Sequence, residues 1–203
     1  KQNFEVYGEE KNMIFHYAGK YNGDESSLPY KEHHPNATPF KEPEDTKKLS
    51  LIANGGCILI MGILAIPFLI LGIEYIPDNA IWMMIGGICG GLSLLPHELL
   101  HAICYKKDVY MYNDLAHGLM FVVGTEDMSK GRFIFTCLCP NLIFGIIPYI
   151  LFLIFPQFVG LGLFGIICIG MGFGDYLNIY NAIKQMPKNS KTYLCGMHSY
   201  WYL

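Results

Sequence analysis

From Leu49 to Ile183 the chain is almost continuously hydrophobic or small, with only short polar interruptions. An average soluble domain is about 25% charged, whereas 15% of these 203 residues are, and the first 48 residues are much the most polar part. A hydrocarbon core of about 30 Å is crossed by about 20 helical residues at 1.5 Å each. Four runs reach that length: Leu49 to about Ile73, Ala80 to about Tyr105, Phe133 to Phe155, and Phe158 to about Ile183. The expected fold is an all-α polytopic membrane protein of about four transmembrane helices, with a small polar N-terminal extension. A division into 1–48 (polar cytoplasmic segment), 49–184 (four-span domain) and 185–203 (cytoplasmic tail) follows from the same pattern. The first apolar run comes too late and is too long for a cleavable signal peptide.

Basic residues orient the spans. Lys47 and Lys48 precede the first; Lys106, Lys107, Lys130 and Arg132 lie between the second and third; Lys184, Lys188 and Lys191 follow the fourth. The opposite loops hold Glu74, Asp78 and Gln157 but no lysine or arginine. This predicts a multi-pass protein of the cell membrane with both termini cytoplasmic. Between spans two and three, Tyr110-Met111-Tyr112 and Leu119 to Val123 flank Asn113-Asp114 and His117-Gly118, which predicts a β-hairpin at the cytoplasmic membrane face. An exposed edge there suits pairing with an extended peptide. Phe4 to Tyr7 and Met13 to Tyr17 suggest a second small hairpin. His33 and His34 read as a solvated turn, and His16 and His198 as residues of polar tails. Asp114 and His117 are subsidiary ligand candidates that read better as turn residues. Six of the seven cysteines fall in apolar runs, where they act as small hydrophobes rather than a disulfide framework. A net charge of −3 without a basic aromatic patch gives no nucleic-acid signature.

One apolar run carries chemistry. His97 and His101 flank Glu98 in Pro96-His97-Glu98-Leu99-Leu100-His101. Residues four apart share a helix face, so both imidazoles can meet one metal ion. Glu98 lies about 100° round the helix, aimed beside the metal, where it can take a proton from an attacking water. Such a pattern arises by chance in about one chain of this composition in a hundred. Two histidines need at least one more protein ligand. Asp175 is the one acid inside the fourth run, and it follows Phe158 by 17 residues as His97 follows Ala80. Both therefore sit roughly 25 Å in from the outer face. Glycines 170, 172 and 174 permit close helix approach. Asn178, one turn on, suits a hydrogen bond to a ligand. Pro96 should kink or restart its helix just before His97. Asn141, at the Cys139-Pro140-Asn141 break, suits either a substrate carbonyl or oxyanion contact or a helix-gluing role.

The histidine motif, Pro140-Asn141 and Gly174-Asp175 resemble bacterial membrane proteins grouped as zincin peptidases, formerly of unknown function. The arrangement is also similar to site-2 intramembrane metalloproteases, which pair such a helix with a later aspartate. Those proteins usually carry Asp-Gly, whereas Asp175 precedes Tyr176. The resemblance implies a Zn²⁺-dependent peptidase acting on a peptide or membrane-protein substrate at or within the cytoplasmic side of the membrane. In that reading His97, His101 and Asp175 hold the ion and Glu98 is the catalytic base. Two other functions fit the same residues: a non-catalytic metal-binding membrane protein with a structural, regulatory or transport role, and hydrolysis of another amide or ester. Glu98 distinguishes the first, since a closed structural site has no use for a carboxylate beside its ligands.

Overall fold

The computed structural model describes residues 14–43, 46–115 and 119–203. Most are helical. Helix α1 (Thr46–Gly72) passes through a 3₁₀ turn (Ile73–Tyr75) into α2 (Ile76–Leu92), which is kinked at Asn79, and then into α3 (Leu94–Ile103). After three intervening strands come α4 (Lys130–Pro140), a π-helical turn (Asn141–Ile146), α5 (Ile147–Ile154), α6 (Val159–Met171) and α7 (Phe173–Gln185). Lys48–Leu92 and Lys130–Ile154 are each long and apolar enough to cross a membrane, and α6 with α7, bent by 52°, adds a third if the pair is one span. Ile58, Leu59, Ile66, Ile70, Trp82, Ile88 and Leu92 all lie exposed. An apolar surface of that extent marks a membrane protein.

Helix α6 holds the bundle together. Gly162 and Gly170 lie against Phe68 and Met61, so α1 runs antiparallel to α6. Gly160 lies against Trp82 and Gly86, and Ile167 against Gly90, so α2 runs parallel to it. The chain therefore reverses direction between α1 and α2, at the 3₁₀ turn and the Asn79 kink. A Cβ on Gly86 would overlap the Gly160 carbonyl, so two backbones touch there, as small residues allow between membrane helices. Phe68, Tyr149, Phe152, Val159 and Ile166 form the core between α1, α5 and α6.

β-structure is more extensive than the expected hairpins, because the polar ends of the chain join the connecting segment in two sheets. Strand β1 (Phe15–Lys20) pairs in parallel with β3 (Val109–Asp114), which pairs antiparallel with β4 (Leu119–Val123). The second sheet runs β2 (Thr38–Pro39), β7 (His198–Tyr202), β6 (Lys191–Cys195), β5 (Met128–Ser129). Gly196, with φ of 60°, takes the first of the two turn positions between β6 and β7, where a II′-type connection demands glycine. Residues beyond 185 are thus a hairpin, not a loose tail. The segment around Phe4 and the ligand candidate His117 lie outside the described residues.

His33 and His34 do lead into a turn, closed by the Ala37 amide on the His34 carbonyl, and His33 is exposed, but both rings also have partners. His33 Nδ1 is 2.9 Å from the Tyr193 hydroxyl, His34 Nε2 is 3.0 Å from Asp127, and His34 stacks on Tyr202 at 4.0 Å. Lys31 pairs with the same Asp127 at 2.5 Å. These contacts fasten the 28–43 segment to the second sheet. His198 likewise pairs with Glu42 at 3.3 Å.

The α2–α6 contact makes a clear prediction. Gly160→Val should force the backbones apart and destabilise the protein by about 1–3 kcal/mol, lowering its melting temperature in detergent. Gly91→Val, placed where a Cβ meets open space, should leave it nearly unchanged. Equal melting of both variants would contradict the close packing.

Candidate metal centre

Helix α3 starts after a turn at Ser93, whose hydroxyl donates to the Gly90 carbonyl at 2.7 Å and lies 3.1 Å from Cys168 of α6. The break thus falls three residues earlier than Pro96 alone suggests. Pro96 occupies the first turn of α3, where a missing amide hydrogen costs no helical bond. His97, Glu98 and His101 are all buried. At the far end of α3 the Arg132 guanidinium donates to the Cys104 carbonyl at 2.7 Å and also pairs with Glu126. Glu126 in turn accepts the Lys106 and Lys107 amides. Burial pushes the Glu126 carboxyl up, but the Arg132 and amide hydrogen bonds outweigh it and hold the group below its ordinary value. The carboxylate is therefore charged and fastens the turn that follows α3.

Asp175 arrives from the other side of the bundle. The α6–α7 bend at Gly172 puts it in the first turn of α7, where unsatisfied amides favour a carboxylate. Its Oδ2 is 3.1 Å from His97 Nε2 and its Oδ1 is 3.3 Å from His101 Nε2. The two Nε2 atoms are 3.2 Å apart. Asn141 Nδ2 donates to Asp175 Oδ2 at 2.7 Å and to the Cys137 carbonyl at 2.8 Å. Both amide hydrogens are then used, so Asn141 glues α4 to α7 and has none left for an oxyanion. A Cβ on Gly172 would overlap Asn141 Oδ1, so glycine is required for Asn141 to reach this position. His101 Nδ1 lies 2.9 Å from the Thr136 carbonyl, and His97 Nδ1 is buried without a partner among the described residues.

These donors suit a zinc ion. Tetrahedral ligands at 2.0–2.1 Å stand about 3.3–3.4 Å apart, close to the 3.1–3.3 Å separations found here. Two imidazole nitrogens and an anionic oxygen that converge in an apolar surround need a cation or shared protons between them. Glu98 also falls within 4.8 Å of both histidine donors, but it accepts the Val122 amide of β4, while Asp175 reaches both imidazoles directly. Asn178 is half-buried one turn along α7, and no described contact ties it to the cluster.

A family model described as "putative zincin peptidase" matches residues 90–191, half of the chain. The chain belongs to this family. The matched region of this zincin-family protein starts just before Ser93 and includes every residue named in the cluster. No curated protein and no solved structure matches the chain.

Sequence alone does not single out Val122, Glu126 or Thr136. Val122 and Thr136 act through backbone atoms, which no side chain announces, and Glu126 reads as one more polar residue of the connecting loop.

Zinc titrated into metal-free protein should bind as a single ion per chain, and Asp175→Ala should abolish that binding. Asn141→Ala keeps all three donors and should weaken zinc by about 10–100-fold, as loss of a partner that orients a ligand does. Wild-type affinity in Asn141→Ala would show that this hydrogen bond orients nothing.

Proposed function

We propose that the chain is a zinc-dependent peptidase that hydrolyses peptide bonds at or within the cytoplasmic side of the membrane. The observation that carries this reading is the placement of Glu98. Its buried carboxylate stands beside the imidazole pair while Asp175, on a different helix, closes the cluster. Neutral His97 and His101 with ionised Asp175 supply the donors. Bound there, zinc would polarise the scissile carbonyl and acidify a water. Glu98, beside the imidazole pair, would take the proton of an attacking water and deliver it to the leaving amine. Asn141 keeps Asp175 facing the histidines throughout. Strand β4 ends its sheet among the described residues. An extended peptide laid along that edge would bring its backbone beside Glu98.

Four crossings with both termini cytoplasmic fit this chemistry best. A straight 45-residue helix over Lys48–Leu92 would be about 68 Å long, more than twice the hydrocarbon thickness. The opposite directions of α1 and α2 against α6 support two crossings there. The basic residues then gather at one face, together with both sheets, the 1–48 segment and the 185–203 hairpin. The substrate in this reading is a peptide or membrane protein that reaches the site from that face. The likeness to site-2 proteases extends to the aspartate on a second helix but stops at the following residue, Tyr176.

Glu98→Gln keeps shape and hydrogen bonding and loses basicity. Zinc content should survive while cleavage of a membrane peptide falls by about 10²–10⁴-fold. Cleavage at the wild-type rate would refute the mechanism. A wild-type protein that binds zinc and cleaves no peptide would point to a non-catalytic metal site.

A further inference from the structure

The Thr136 carbonyl that meets His101 belongs to the middle of α4, where a helix normally consumes its own acceptors. The amide that would take it is that of residue 140, four positions on. That residue is proline, fully buried in the helix. Proline has no amide hydrogen, and its ring pushes against the carbonyl four residues back, turning it away from the helix axis. A freed carbonyl at membrane depth must find another donor. Here the donor is His101 Nδ1, at 2.9 Å, from the neighbouring helix α3.

We propose that Pro140 is a positioning residue for His101: by withholding its amide it leaves the Thr136 carbonyl to hold the Nδ1–H, which turns the Nε2 lone pair toward His97 and Asp175. A neutral imidazole carries one proton, and the hydrogen bond at one nitrogen decides which nitrogen is left as donor to a metal. Rotation of the ring by half a turn would exchange Nδ1 with Cδ2 and Nε2 with Cε1, so that carbons would face both Thr136 and the cluster and both contacts would be lost. Pro140 therefore acts on the site without touching it, and Thr136 serves through its backbone alone. The helix defect continues one residue later, where the Asn141 side chain takes the Cys137 carbonyl and reaches Asp175. A single break in α4 thus orients two members of the cluster through adjacent carbonyls.

The inference rests on the metal-site reading for its consequence, though its hydrogen bond can be observed without metal. In histidine-labelled, zinc-free wild type, nitrogen NMR should find His101 Nδ1 protonated, with a downfield, slowly exchanging proton. Pro140→Ala restores the competing amide. That proton should then move upfield and exchange faster, and zinc affinity in chelator competition should fall by about 10–100-fold. Pro140→Gly, which restores the same amide with no side chain to pack, should behave the same way if the alanine variant does not fold. Pro67→Ala, on α1 and away from the cluster, should change neither readout. An unprotonated Nδ1 in wild type, or a Pro140 variant that folds with both readouts unchanged, would overturn the proposal. A protonated, protected Nδ1 in a wild type that binds no zinc would support the hydrogen bond and refute the metal reading.

Discussion

Asp175 is a carboxylate shut between two imidazoles and an asparagine amide in the interior of an apolar bundle, and each helix around it is shaped to make that tolerable. A charge in such a place is costly unless its partners are close and well aimed. Straight helices offer few polar groups to serve as partners. The three long helical stretches are all broken near the cluster: at Ser93 between α2 and α3, at Asn141–Ile146 after α4, and at Gly172 between α6 and α7. Ser93 touches Cys168, and Gly172 packs on Asn141, so the breaks are neighbours in space as well. Irregular backbone is acceptable at membrane depth where protein surrounds it, and here each irregularity supplies a donor, an acceptor or a close approach that the carboxylate or an imidazole uses.

The rest of the fold keeps these breaks in register. On one side of the cluster, helices meet through glycines and a core of Phe68, Phe152 and Val159. On the other, Phe40, Ala102, Tyr105, Val109, Met128, Phe133 and Ala182 join α3, α4 and α7 to both sheets. The Arg132–Glu126 pair ties the end of α3 to the start of α4, so the two elements that carry His101 and its carbonyl partner cannot drift apart independently. The sheets are built largely from the polar ends of the chain, and Val122 of β4 is the point at which they reach Glu98.

The helical part of this arrangement was legible because its signals are local. Spacing of four puts His97 and His101 on one face whatever lies elsewhere, and an acid alone in an apolar run, as Asp175 is, stands out. Apolar run length gave the helices nearly to their ends. The β3–β4 hairpin was legible from its two strand-like runs, but the rest of the sheets was not, since β2 and β5 are two residues each and β1 pairs with a strand over 90 residues away. Pairing of that kind depends on partners that no window of sequence contains. The contacts that His33 and His34 make from their turn escape the sequence for the same reason: Tyr193, Tyr202 and Asp127 are distant in the chain. Asn141 was ambiguous between substrate and scaffold until its two amide hydrogens could be assigned.

The account stands on two imidazoles and one carboxylate as the metal's protein ligands. X-ray absorption at the zinc edge of the reconstituted protein reads this most directly. The account predicts nitrogen and oxygen neighbours only, at about 2.0–2.2 Å, with the outer-shell scattering of two imidazoles, one of which disappears in His101→Ala. Sulfur neighbours near 2.3 Å would assign the metal to cysteines such as Cys104, Cys137 and Cys139 and contradict the site.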